Sequence, residues 1–180
     1  CICAWPEKGP VTAPVTTCDI NDSLLSDPLA VSGCEESGSA FMCSSQSPWA
    51  VDEKLAYGFP PVRIAGQTES DWGCACYELT FTSGPAQGKK WLVQATNTGG
   101  DLGSNHFDIA IPGGGVGIFN GCTPTGTRPP DGWGDRYGGI RENTCYELPA
   151  PLQPGCEWRF DWFQNSDNQT VDFDPSGMPC

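Results

Sequence analysis

The chain has 180 residues and sets nine Lys and Arg against 22 Asp and Glu, a net charge of -13 at neutral pH. That length suits one domain spanning residues 1–180 and able to bury its own core, and the acidic balance repels polyanions, which excludes nucleic acid and anionic membrane as partners. Eleven cysteines, 23 glycines and 17 prolines describe a loop-rich, disulfide-closed domain of the secreted kind, and no run approaches the roughly 20 apolar residues of a membrane span.

Taken in order, residues 1–50 are irregular, because Pro6, Pro10 and Pro14 deny a helix and Cys1, Cys3, Cys18, Cys34 and Cys43 staple loops to a core. Two short helices are predicted, over 22–29 and over 47–57, the second with Ser47 as N-cap and Pro48 at the first helical position. From Ala75 the pattern alternates in the β manner. Strands are predicted at 75–81, 90–96, 106–111, 116–119, 158–163 and 171–173, with a Gly/Pro turn at 83–88. Residues 122–146 form a long Gly/Pro-rich excursion holding Trp133, Arg136 and Tyr137. Short strands and scattered turns point to an all-β barrel with decorating loops. Asn21-Asp22-Ser23 and Asn168-Gln169-Thr170 are glycosylation sequons, usable on a secretory route.

Residues 97–122 concentrate the chemistry. Asp101 and Asp108 flank His106, the only histidine, between glycine clusters that bring backbone close to a ligand or to another strand. A turn-rich structural loop is the alternative reading. In a strand over 106–111, His106 and Asp108 share a face, while Phe107 and Ile109 point inward and hold the acid on a rigid element. Paired carboxylates beside exposed aromatics suit glycosidic cleavage, in which one acid protonates the leaving oxygen and a second group activates water or attacks. Trp5, Trp72, Trp133 and Tyr137 fall in loop-like segments, where flat rings can stack on sugars or pack in a core. Trp91, Trp158 and Trp162 read as core. His106 lacks a partnered Ser or Cys, so it orients Asp108 or a sugar hydroxyl rather than serving a triad. Gly113 to Gly115 lack the lysine of a phosphate loop, and the Cys and His spacings match no zinc site.

The stretches 72–85, 97–108, 112–122, 136–140 and 158–163 resemble the fungal endoglucanases of glycoside hydrolase family 45. The likeness runs over nearly the whole chain. It implies a six-stranded double-psi β-barrel with a long groove, hydrolysing internal β-1,4 bonds of cellulose with inversion, as a secreted monomer and without metal or organic cofactor. By position, Asp108 resembles the general acid, Asp101 the loop aspartate that assists it, and His106 the histidine beside the acid. Trp5 is similar to a sugar-stacking tryptophan and Tyr137 to a groove tyrosine. The resemblance also implies disulfides Cys1–Cys122, Cys3–Cys34, Cys18–Cys43, Cys76–Cys180 and Cys145–Cys156; Gly73 stands where the family usually has cysteine, so that disulfide is lost, and Cys74 is left free because its usual partner is expected beyond Cys180.

One departure concerns the base. The family carries it as an aspartate in a Tyr-Trp-Asp-Cys-Cys segment, and this sequence opens at Cys1-Ile2-Cys3 without the Tyr-Trp-Asp. If Cys1 and Cys3 are that segment's cysteines, the aspartate belongs immediately upstream, and truncation is the economical view; a naturally incomplete relative is the other. The competing function is a non-hydrolytic, expansin-type cellulose-binding or wall-loosening protein, which keeps the acid and lacks the base.

Overall fold

The computed structural model describes residues 15–33, 35–118, 120 and 132–175. Its centre is a five-stranded mixed sheet in the order β1 (Trp49–Ala50), β2 (Leu55–Gly58), β5 (Lys90–Gln94), β4 (Cys76–Phe81) and β7 (Val171–Pro175). β2 and β5 run parallel, and the other neighbours are antiparallel. A two-stranded ribbon of β3 (Val62–Arg63) and β6 (His106–Phe107) stands beside it, tied to the sheet's end by a parallel bridge between Pro61 and Asn97. The architecture is mainly β with few short helices. Its ladders trace five strands plus two, not the single ring of six that was expected.

Alternation builds the core. In β4, Tyr77, Leu79 and Phe81 are buried, and in β5 Trp91 and Val93 are, so one face of the pleat is apolar. Against it packs α2 (Gln153–Asp161), which brings Trp158 and, just after it, Trp162 and Phe163. The buried assignment of Trp91, Trp158 and Trp162 holds. The segment expected as a strand over 158–163 is instead helical through Asp161. Pro154 sits in the first helical turn, where its missing N–H costs nothing, and Trp158 and Trp162 are four apart, the helical spacing for one face.

The predicted helix over 47–57 is a hairpin instead. The Asp52 carboxylate accepts hydrogen bonds from the backbone N–H of Lys54 and Leu55 at 2.7 and 2.8 Å, which closes a turn between β1 and β2. Such local side-chain bonding competes with a helix. Residues 22–29 form turns for the same reason. Asp19 accepts from the N–H of Asn21 and Ser23, and Asp27 from that of Leu29. The strand predicted over 106–111 stops after Phe107 because its partner runs back into Pro60-Pro61, which have no N–H to donate. No strand forms at 116–118.

Two expected disulfides are present, Cys18–Cys43 and Cys145–Cys156. The second sits inside a small core of Ile140, Leu148, Trp133, Leu152 and Phe160. Cys74, expected free, is disulfide-bonded, as is Cys76, so the odd sulfur among eleven is not Cys74. The pairings proposed for Cys1, Cys3, Cys34, Cys122 and Cys180 lie outside the described residues. Among the described residues no helix is long and apolar enough to cross a membrane.

Candidate active site

Asp108 follows β6 directly, and its backbone N–H donates to the Pro61 carbonyl at 2.9 Å. The proline that ends the ladder as a donor still serves as an acceptor. The carboxylate is therefore fixed to the sheet ribbon by one bond beyond the strand. Beneath it Phe107 packs edge-on against Tyr77 and Phe173 at 5.5 and 5.1 Å, and Ile109 packs against the same core. Two adjoining clefts of about 510 and 710 Å³ share His106, Asp108, Ile109, Ile111, Asp167 and Asn168 along their common border. Asp108 stays accessible from the clefts. Desolvation by the walls raises its pKa above the ordinary 3.8, the neighbouring His106 opposes that shift, and Asp101 adds to it.

Asp101 sits on the loop that leads into His106, the first residue of β6, and that loop is anchored at several points. Leu102 is buried beside Asp101, its carbonyl accepts from Arg63 Nη1 at 2.9 Å, and Asn105 Oδ1 accepts from the Ala65 N–H at 3.0 Å. Asp101 itself is exposed and borders the larger cleft. The Gly103 N–H donates to His106 Nδ1 at 3.2 Å. With Nδ1 acting as acceptor, the neutral ring carries its proton on Nε2.

Tyr137 is 65 % exposed on the wall of the larger cleft, with the Arg136 guanidinium 5.8 Å from its ring centre. Arg136 also ties two segments together, Nε donating to the Gly117 carbonyl at 2.7 Å and Nη2 to that of Ile118 at 3.0 Å. Behind the tyrosine, residues 135–139 form a tight turn in which Asp135 and Gly139 exchange backbone bonds, and the Ile140 N–H donates to the Gly113 carbonyl at 3.0 Å. Gly139 has φ 68°, and a Cβ there would run into that Gly113 carbonyl. Gly139→Ala is expected to cost about 1–3 kcal/mol by overpacking and roughly 1–2 kcal/mol for a left-handed alanine. Thermal unfolding would read the loss, and activity should fall with it as the turn carrying Tyr137 shifts.

The structure thus brings together Asp101, His106, Asp108 and Tyr137 of the predicted set. Trp5 lies outside the described residues. Trp72 ends α1 (Glu69–Trp72) and is buried in the main core, and Trp133 packs on the small core, so neither offers a ring to the clefts. Sequence reasoning missed Asp167 and Asn168, which border both clefts from the segment joining α2 to β7. The available signal was that segment's run of polar residues, three of which, Gln164, Asn165 and Asn168, adopt positive φ. Arg159 supports the same region. It donates to the Gly138 carbonyl at 2.8 Å and to Asn165 Oδ1 at 2.9 Å, while burial lowers its pKa and the charge of Asp167 opposes that. Among the described residues no group of three or more His, Cys, Asp or Glu is arranged to hold a metal.

The whole chain has similar proteins of known name. The chain is 53 % identical over 178 residues to a putative endoglucanase type K of Fusarium oxysporum, covering 98 % of this chain and 47 % of that protein. It is 49 % identical over 172 residues to an endoglucanase of Cryptopygus antarcticus, covering 95 % and 76 %. The chain thus spans about half the length of the Fusarium relative and three quarters of the springtail one. The crystal structure of a cellulase from that Antarctic springtail superposes with a TM-score of 0.90 at 48 % identity, over 98 % of this chain and 85 % of the other. The model of glycosyl hydrolase family 45 matches residues 1–180, and the chain belongs to that family.

Proposed function

We propose that residues 1–180 form one catalytic domain, a secreted, monomeric endo-β-1,4-glucanase that cleaves cellulose and related β-glucans with inversion. The observation that carries this reading is the position of Asp108 on the border shared by two clefts, so that an extended chain can cross the acid with sugars on either side. An open trough of this kind favours attack within a chain over attack at its end. Asp108, its pKa raised by burial, protonates the departing oxygen. Asp101 assists from its loop, His106 offers Nε2–H to the acid or to a sugar hydroxyl, and Tyr137 and Trp5 supply apolar faces for pyranose rings. No metal or organic cofactor takes part.

Inversion requires a second carboxyl about 6.5–9.5 Å from the acid, across the bound chain, to activate water. The family resemblance gives that role to the aspartate of a Tyr-Trp-Asp-Cys-Cys segment. The parallel bridge from Pro61 to Asn97 supports the reading of sheet and ribbon as parts of one double-psi barrel. Endoglucanase relatives favour hydrolysis over the expansin-type alternative. The test uses the full mature protein on a soluble β-glucan. Viscosity should fall faster than reducing ends accumulate, and proton NMR should show the α-anomer first. Binding without bond cleavage would return the expansin-type reading, and a β-anomeric first product would remove inversion.

A further inference from the structure

The sequon Asn168-Gln169-Thr170 stands where a modification would meet the substrate. Asn168 is exposed and borders both clefts together with Asp108 and His106. Its φ of 48° lies in the left-handed region that asparagine tolerates. The flanking residues are pinned. Thr170 Oγ1 pairs with Thr82 Oγ1 at 2.8 Å, the Thr170 N–H donates to Ser83 Oγ at 2.9 Å, and Gln169 Nε2 donates to the Asp167 carbonyl at 2.8 Å. Among the described residues the Asn168 amide itself makes no hydrogen bond, so substitution at Nδ2 breaks none. The second sequon residue, Asn21, is exposed as well but borders neither cleft.

We propose that Asn168 is an N-glycan acceptor whose occupancy closes the trough to polymeric β-glucan. The inference rests on the trough being a β-glucan site and on passage of the chain through a secretory route. In the transfer, Asn168 Nδ2 loses a proton and bonds to C1 of a lipid-linked oligosaccharide. The C1–O bond to the carrier breaks, and the lipid pyrophosphate leaves. The first two sugars of such a glycan are β-1,4-linked pyranoses, the linkage and ring form of the proposed substrate. Tethered on the rim, they act as a competitor at an effective concentration in the millimolar range. If they fill the trough nine-tenths of the time, the apparent affinity for polymer drops about tenfold.

The chain would be made in a eukaryotic secretory host and, without N-glycans, in a bacterial host. Peptide mapping by mass spectrometry reads occupancy of Asn21 and Asn168 separately. The glycosylated form is expected to show a KM for soluble β-glucan about tenfold above that of the bacterial form. Thr170→Val, which destroys the sequon and leaves Asn168 in place, should return KM to the bacterial value, and trimming with an endoglycosidase, which leaves only the first sugar on Asn168, should bring it most of the way there. Asn21→Gln should leave KM high. An unmodified Asn168, or an occupied Asn168 with unchanged KM, overturns the proposal while the hydrolase reading stands. A bacterial form that folds and binds β-glucan but never cleaves it removes that reading and the proposal together.

Discussion

Asp108→Asn is expected to lower kcat on soluble β-glucan by about 10²–10⁴-fold, the usual contribution of a positioned general acid. The amide keeps the size of the side chain and can still donate a hydrogen bond, but it has no proton to give to a departing oxygen. Binding should persist, so KM should move little and the loss should appear in kcat. A fall in KM affinity with kcat preserved would assign Asp108 to binding alone and sink the acid role. The same substitution has a second signature. Desolvation raises the folded-state pKa of Asp108, so its favourable contribution is fully present below the unfolded value and is lost as pH rises through the folded one. Above that window the wild type carries an unwelcome charge that the asparagine variant lacks. Asp108→Asn should therefore be slightly more stable than wild type at neutral pH, with the difference vanishing in acid. The increment is small because the carboxyl remains open to solvent in the clefts. Denaturation midpoints measured at pH 3 and pH 7 test it.

The carboxylates and the histidine were readable in the sequence because glycine density and short spacing are local signals, and the structure keeps them local: Asp101, His106 and Asp108 sit on one loop and the short strand that follows it. The alternation of Tyr77, Leu79 and Phe81 likewise gave β4 directly. The errors have a common physical source. Over 47–57 the pattern Ser47-Pro48 imitates a helix start, yet the Asp52 carboxylate captures the N–H groups of Lys54 and Leu55 and makes a hairpin. Over 158–163 the aromatic run imitates a strand, and only the face presented to Trp91 shows that its period is helical. The polar run around Asp167 and Asn168, and the sequon at Asn168, mark an exposed segment but do not say what it faces. It reaches the site because α2 and β7 place it beside a loop some sixty residues earlier in the chain, a tertiary relation that no local pattern encodes.

Trp158→Ala is expected to destabilise the fold by about 3–5 kcal/mol, the range for truncating a buried aromatic to alanine. Trp158 is 4 % exposed, and its ring lies 6.2 Å from Trp91, 5.3 Å from Trp162 and 5.2 Å from Phe163. It joins Trp91 of the sheet to the rings at the end of α2. Among the described residues its Nε1 has no hydrogen-bond partner, so the loss is one of packing and burial. In a chain of this size that is roughly a 6–20 °C drop in Tm, and the urea midpoint should fall with the m-value unchanged. Trp158→Phe, which keeps an aromatic face, should recover most of it. Trp158 borders neither cleft, so well below the new Tm the folded enzyme should retain kcat within a few-fold of wild type. A kcat collapse in a protein still fully folded would mean that the packing of α2 sets the geometry around Asp108, through Arg159 and the turn it holds at Gly138, and that core and site are not separable in this fold.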